Sequence, residues 1–174
     1  MFINGCDFHG HLFFLQNITV MKAFVPIVMF VLLSFIVGYI SMLLQQESLL
    51  NWYPSLDKSS LTPPGYVFAI VWGVLYLLMG LSAGIVWSMH TTYSWMLTLL
   101  FVIQLAFNLL WSLCFFYFKS PVLGFAILVV LFMFVSLYAA GCYTQNKFAA
   151  IINIPYLLWL LFAGYLNIYV ALNN

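Results

Sequence analysis

The chain has 174 residues, 67% of them apolar and 20% aromatic, with only 4% charged and a formal net charge of +1. Soluble domains carry roughly one-quarter charged residues, so a water-soluble fold is excluded. With no arginine and almost no net charge, the chain has no basic surface for nucleic acid either.

The charges, Asp7, Lys22, Glu47, Asp57, Lys58, Lys119 and Lys147, all fall between or outside five apolar runs at roughly 23–44, 66–88, 95–118, 121–143 and 149–172. Each run has at least the ~20 residues that a helix needs to cross a ~30 Å hydrocarbon core. Backbone groups in lipid must be satisfied within the segment, so helices are the economical reading. The predicted fold is an all-α integral membrane protein, a multi-pass five-transmembrane-helix bundle over 21–174 with no second domain.

Residues 1–20 lack a basic n-region and a small-residue cleavage site, so they do not read as a signal peptide. Met21-Lys22 before an apolar run looks like a membrane-protein start, which leaves 1–20 as a short extension or a misassigned start. Cys6, His9 and His11 are soft metal ligands by type, but three in a tail make a weak pattern and no metal site is predicted. Asn17-Ile18-Thr19 is a glycosylation sequon by pattern only.

The first helix is expected to begin near Pro26 and to end before Gln45-Gln46-Glu47. Residues 45–65 then form the one long connection, with Trp52-Tyr53-Pro54, Asp57-Lys58 and Thr62-Pro63-Pro64-Gly65. Thr62 is placed to cap the second helix, with Pro63 or Pro64 at its first position. Long loops among short ones tend to be functional. This one reads either as a lid over an opening in the bundle or as an interfacial aromatic anchor. The other connections are short, so sequential helices should lie antiparallel. Lys22 and Lys147 face one side and Lys58 and Lys119 the other, so the positive-inside rule sets no orientation.

Three faces carry polar points among aromatic bulk. The third run presents Gln104, Asn108, Trp111 and Phe115 at helical spacing, the fifth presents Tyr156, Trp159, Ala163 and Asn167, and the second presents Trp72, Tyr76 and Met79. Such faces suit a large, flat, apolar ligand. They equally suit simple packing, since amides and hydroxyls glue transmembrane helices together. Trp52, Trp87 and Trp95 fit an interfacial belt. Ala69, Gly73, Gly80 and Gly84 form a small-residue stripe for close helix approach, within the bundle or in a dimer. Cys114 and Cys142 read as small packing residues, with no disulfide inferred.

The spans hold no Asp, Glu, Lys, Arg or His. That argues against charge-coupled transport, which keeps ionisable groups in the membrane. It argues equally against conventional acid–base catalysis, which needs a titratable group within reach of substrate.

Several of these residues also resemble the TspO/MBR family (tryptophan-rich sensory protein, translocator protein, peripheral benzodiazepine receptor). The resemblance covers about Met21 to the C-terminus. It rests on Trp52-Tyr53, Thr62-Pro63-Pro64-Gly65, Trp72, Leu75-Tyr76-x-x-Met79-Gly80, Gln104-Leu105-x-x-Asn108-x-x-Trp111 and Pro155-Tyr156-x-x-Trp159-x-x-Phe162-Ala163-x-x-Leu166-Asn167. It implies a five-helix bundle, often dimeric, with a pocket under the first loop for porphyrins and haem precursors, sterols in some members, or isoquinoline-carboxamide drugs. By matching positions, Trp72, Gln104, Asn108, Trp159 and Ala163 would line that pocket, with Trp52 and Tyr53 on the covering loop. Two departures stand out. The family's Lys-Pro-x-Trp-x-Pro-Pro loop reads Lys58-Ser59-Ser60-Leu61-Thr62-Pro63-Pro64 here, so a proline and a tryptophan are missing and a less rigid lid is expected. No basic residue follows Tyr169, which puts sterol recognition in doubt.

Three functions compete on this reading. The first is a membrane receptor or carrier for a porphyrin, another tetrapyrrole or another apolar small molecule, regulatory or stress-related, with no resident cofactor and Lys58 as the cation near the mouth. The second is light-dependent porphyrin breakdown with an indole as electron donor. The third is a membrane scaffold, in contact with the lipid bilayer and other helices, including a second copy in a homodimer. The residues expected to meet ligand are Trp52, Tyr53, Trp72, Tyr76, Gln104, Asn108, Trp111, Tyr156, Trp159 and Ala163.

Overall fold

A computed structural model describes the backbone from residue 5 and the side chains from residue 24. Cys6, His9, His11 and the Asn17 sequon therefore lie outside the described side chains. The helices are α1 (Gly5–Asn51), α2 (Gly65–Ser88), α3 (Thr92–Ser112), α4 (Pro121–Gln145), α5 (Lys147–Ile151) and α6 (Ile154–Asn173). A short 3₁₀ turn covers Tyr53–Ser55, and a π-helical turn, Leu113–Tyr117, prolongs α3. Five segments are long and apolar enough to cross a membrane, from Phe24–Asn51 to the combined α5–α6 segment Lys147–Asn173.

The expected boundaries move in four places. Pro26 lies inside α1, so the helix gives up one backbone bond there and continues. At its other end α1 runs on through Gln45-Gln46-Glu47, because Gln45 and Ser48 find partners on α3 and the π turn that prolongs it. Gln45 Nε2 donates to Ser112 Oγ at 2.9 Å, and Ser48 Oγ to the Phe116 carbonyl at 2.5 Å. The Phe116 carbonyl belongs to the π turn, whose wider winding frees carbonyls from the regular ladder. Thr62 makes no cap: Pro64 precedes the first turn of α2 in an extended conformation, and its carbonyl accepts from Val67 N at 2.9 Å. The fifth span breaks at Ile152–Asn153, just before Pro155, which cannot donate into a continuing ladder.

Helix α1 packs along α2, α3 along α4, and α4 along α6, while the π turn reaches back to α1. Lipid provides no hydrophobic drive between helices, so close backbone approach and hydrogen bonds must hold them. Both devices are visible. A β-carbon on Gly80 would run into the backbone of Val31, and one on Gly84 into that of Ile27. The Gly80/Gly84 stripe is thus spent inside the bundle, against α1. At the α5–α6 break, Ser82 Oγ donates to the Ala149 carbonyl at 2.8 Å and takes a bond from Asn153 Nδ2 at 2.8 Å. The Tyr138 hydroxyl lies 3.0 Å from the same Ser82 oxygen. This cluster joins α2, α4 and the fifth span at one buried point.

The first connection is tied down at several points. Lys58 Nζ donates to the carbonyls of Tyr53 at 2.8 Å and Pro54 at 3.2 Å, and sits 5.0 Å from the Tyr53 ring centroid. Ser59 and Tyr165 hydroxyls are 3.0 Å apart. Asn174 receives a bond from the Asp57 N–H at 2.8 Å and donates to the Asp57 carbonyl at 3.1 Å. The Ser59–Tyr165 and Asp57–Asn174 bonds tie the connection to α6 and the residue that ends it.

Candidate functional site

Helices α1 and α2 run antiparallel and touch at Ile27–Gly84 and Val31–Gly80; Gly38 then meets the Tyr76 ring. Beyond that point they part, and a cavity of about 440 Å³ opens between α1, α2 and α3 beneath the first connection. Its aromatic lining includes Phe35, Tyr39, Tyr53, Phe68, Trp72, Tyr76, Trp111 and Phe116. Its polar points are neutral: Ser41, Gln45, Asn108, Ser112 and the phenols of Tyr53 and Tyr76. Burial pushes the Tyr53 phenol above its ordinary value, so the loop side carries no phenolate at neutral pH. The cavity lies in the size range of small-molecule pockets, and its apolar walls with few convergent polar groups match their usual character.

An aromatic stack forms one wall. Trp72 stacks on Trp111 at 6.0 Å between centroids, and Trp111 on Phe115 at 5.8 Å. Trp72 also meets Tyr156 at 6.2 Å and Trp159 at 6.5 Å, both edge-on. Hydrogen bonds fix this wall from behind. The Tyr76 hydroxyl donates to Asn108 Oδ1 at 2.8 Å, and Asn108 Nδ2 donates to the Tyr156 hydroxyl at 3.1 Å. Trp111 Nε1 donates to Asn167 Oδ1 at 3.1 Å, and Asn167 Nδ2 to the Pro121 carbonyl at 2.7 Å. One amide from α3 therefore holds phenols from α2 and α6 together.

Of the residues expected at the site, Tyr53, Trp72, Tyr76, Asn108 and Trp111 line the cavity. Tyr156 and Trp159 are not in the lining but back it: Tyr156 through Trp72 and Asn108, and Trp159 through Trp72 and Phe68. Trp52 is half-buried edge-on against Phe115 at 5.7 Å. Gln104 and Ala163 are buried in the bundle away from the cavity lining, and neither polar atom of Gln104 has a partner among the described residues. The wall from α1 was not anticipated, nor was the use of Ala69 and Gly73 as lining. A signal existed: Ser34, Ser41 and Ser48, each seven residues apart, are all buried, which marks one face of an otherwise uniformly apolar helix. Among the described residues, no group of three His, Cys, Asp or Glu side chains forms a metal site.

Asn108→Leu is expected to cost about 2–4 kcal/mol, because two buried phenols lose their shared partner. Denaturant titration of the detergent-solubilised protein checks this. Tyr76→Phe, which removes one bond, should cost about a third as much.

A five-span helical bundle with an aromatic cavity under its first loop defines a multi-pass integral membrane protein, in contact with lipid over its outer faces. The TspO/MBR family profile matches residues 30–172, and the chain belongs to that family. It is 32% identical over 138 residues to the tryptophan-rich protein TspO of Archaeoglobus fulgidus, covering 79% of this chain and 90% of the relative. It is 36% identical over 120 residues to the protein of the same name from Chlorobaculum tepidum, covering 67% and 75%. The translocator protein of Bos taurus is 34% identical over 149 residues, covering 82% and 86%.

Proposed function

We propose that the protein is a membrane receptor or carrier for porphyrins or related tetrapyrroles, held in the cavity beneath the first connection and serving a regulatory, stress-related role. The observation that carries this reading is the Trp72–Trp111–Phe115 stack beside about 440 Å³ of apolar space. A flat macrocycle gains offset stacking on such a wall, while neutral amides and hydroxyls supply direction. Among the described residues no charged side chain lines the cavity, and the Lys58 ammonium is engaged by loop carbonyls. Propionates of a porphyrin would therefore point outward, since burying an unpaired carboxylate is costly.

Titration with protoporphyrin IX in the dark, read by tryptophan fluorescence, tests the reading. Saturable quenching is expected in the wild type, with clearly weaker affinity in a Trp72→Phe/Trp159→Phe double variant. Quenching that never saturates, or is equal in both, would move the reading to a scaffold. Light-dependent breakdown is the second reading, favoured by the contact of three indoles, Trp72, Trp111 and Trp159, which gives an excited porphyrin a nearby electron donor. A homodimer would have to use a face other than Gly80 and Gly84, which α1 already occupies.

A further inference from the structure

The walls of the cavity are not equally sealed. On the α3 side, Asn108, Trp111 and Phe116 are buried. On α1 the lining residues Phe35, Tyr39 and Met42 are 42%, 60% and 53% exposed, and on α2 the lining residue Ala69 is exposed too. These residues face both the cavity and the outside of the bundle, which marks an opening between α1 and α2. Its α2 edge is made of small residues, and a β-carbon on Gly73 meets nothing within 4 Å. Along α1 the lining runs from Phe35 to Leu49, about 21 Å of helix at a rise of ~1.5 Å per residue. The opening is a slit that reaches from the first connection well into a hydrocarbon core ~30 Å thick.

The aqueous end is covered instead. Tyr53 and Pro63 of the first connection line the cavity there, and the Tyr53 ring packs on Phe115 and Phe116 at 6.4 and 5.8 Å. The same connection is bonded to Tyr165 through Ser59 and to Asn174 through Asp57. Entry from water has to break these contacts. The side chains of Phe35, Met42, Ala69 and Gly73 have no hydrogen bonds to lose, so entry between them displaces only lipid tails.

We propose that the cavity is loaded sideways, from the bilayer through this slit, and that its ligand is a membrane-dissolved amphiphile. The inference rests on the tetrapyrrole reading above and adds the phase that delivers the ligand. Such a molecule slides in with its charged end at headgroup level, avoiding the cost of burying a carboxylate, and with its apolar body between the helices. The lining is ordered to match, with Gln45 and Ser112 toward the connection and Phe35 and Gly38 away from it. Without ligand, the same slit admits a lipid tail.

Two measurements in proteoliposomes test the route. The first, without ligand, compares phospholipids brominated along the acyl chain with unbrominated ones. The Trp72 signal is the difference between the wild type and Trp72→Phe. Contact quenching of Trp72 is expected, and Gly73→Leu, which fills the space beside it, should abolish that quenching. The second follows the rate of fluorescence quenching by protoporphyrin IX in the dark. Ala69→Phe, which narrows the slit, should slow association about tenfold, whereas Ser59→Ala/Asn174→Ala, which frees the first connection from its anchors, should leave it within about twofold. Unquenched Trp72 in brominated bilayers overturns the sideways route. So does faster association in the Ser59/Asn174 double variant with Ala69→Phe unaffected. Either result leaves the tetrapyrrole reading intact. Quenching of Trp72 by brominated lipid, without saturable porphyrin binding in the wild type, overturns the tetrapyrrole reading and the ligand class named here.

Discussion

Gly84→Leu should leave little folded protein: a collapsed monodisperse peak in size-exclusion chromatography and a thermal midpoint lowered beyond easy measurement. At Gly84 the first side-chain carbon already meets the backbone of Ile27. Overpacking a core against movable side chains costs about 1–3 kcal/mol. Here the obstacle is main chain on a neighbouring span, so the cost should reach or exceed the upper figure. The α1–α2 contact is the tightest seam in the bundle, and close approach of this kind is what drives helix association in lipid. A Gly84→Leu variant as stable as the wild type would show that α1 does not rest on α2 in this register.

Eleven residues away on the same stripe, Gly73→Leu should do the opposite. A β-carbon at Gly73 meets nothing within 4 Å, because Gly73 faces the cavity. Replacing glycine within a helix removes a penalty of about 0.8–1 kcal/mol relative to alanine, so the variant should fold at least as well as the wild type. Its leucine side chain would occupy the space beside Trp72 and Tyr76, and saturable porphyrin quenching should disappear. A well-folded Gly73→Leu protein that still binds with wild-type affinity would place the ligand elsewhere. Taken together, the two substitutions separate packing from binding with chemically identical changes on one helix.

The spans were legible because charge is nearly confined to their edges and each run is long enough to cross lipid. Their ends were less so. Gln45 and Glu47 read as a loop, because a polar triplet after an apolar run usually is one; the Ser112 hydroxyl and the Phe116 carbonyl that receive Gln45 and Ser48 are more than sixty residues away in sequence. The break before Pro155 carried a local signal, while the π turn carried none. At the site, helical spacing placed Asn108 and Trp111 on one stripe, and both line the cavity. The same spacing also included Gln104, which faces the bundle interior. A stripe specifies a helix face, not the depth along it at which space opens. The contribution of α1 was hidden because that helix is apolar on every side, so only the seven-residue spacing of its buried serines distinguishes the inward face.

The geometry of the first two spans has a mechanical consequence. Pinned together at Gly80 and Gly84 and parted beyond Gly38, α1 and α2 behave as a pair of tongs whose jaws are immersed in the bilayer. A tilt of α1 about the glycine fulcrum would widen or narrow the opening, and it would have to stretch the Gln45–Ser112 and Ser48–Phe116 hydrogen bonds that tie the far end of α1 to α3 and the π turn. Lateral pressure and membrane thickness act directly on such a tilt, so the capacity of the cavity becomes a property of the surrounding lipid as well as of the chain. Affinity measured in short-chain and long-chain bilayers should differ accordingly, with the same protein serving as a gauge of the membrane that holds it.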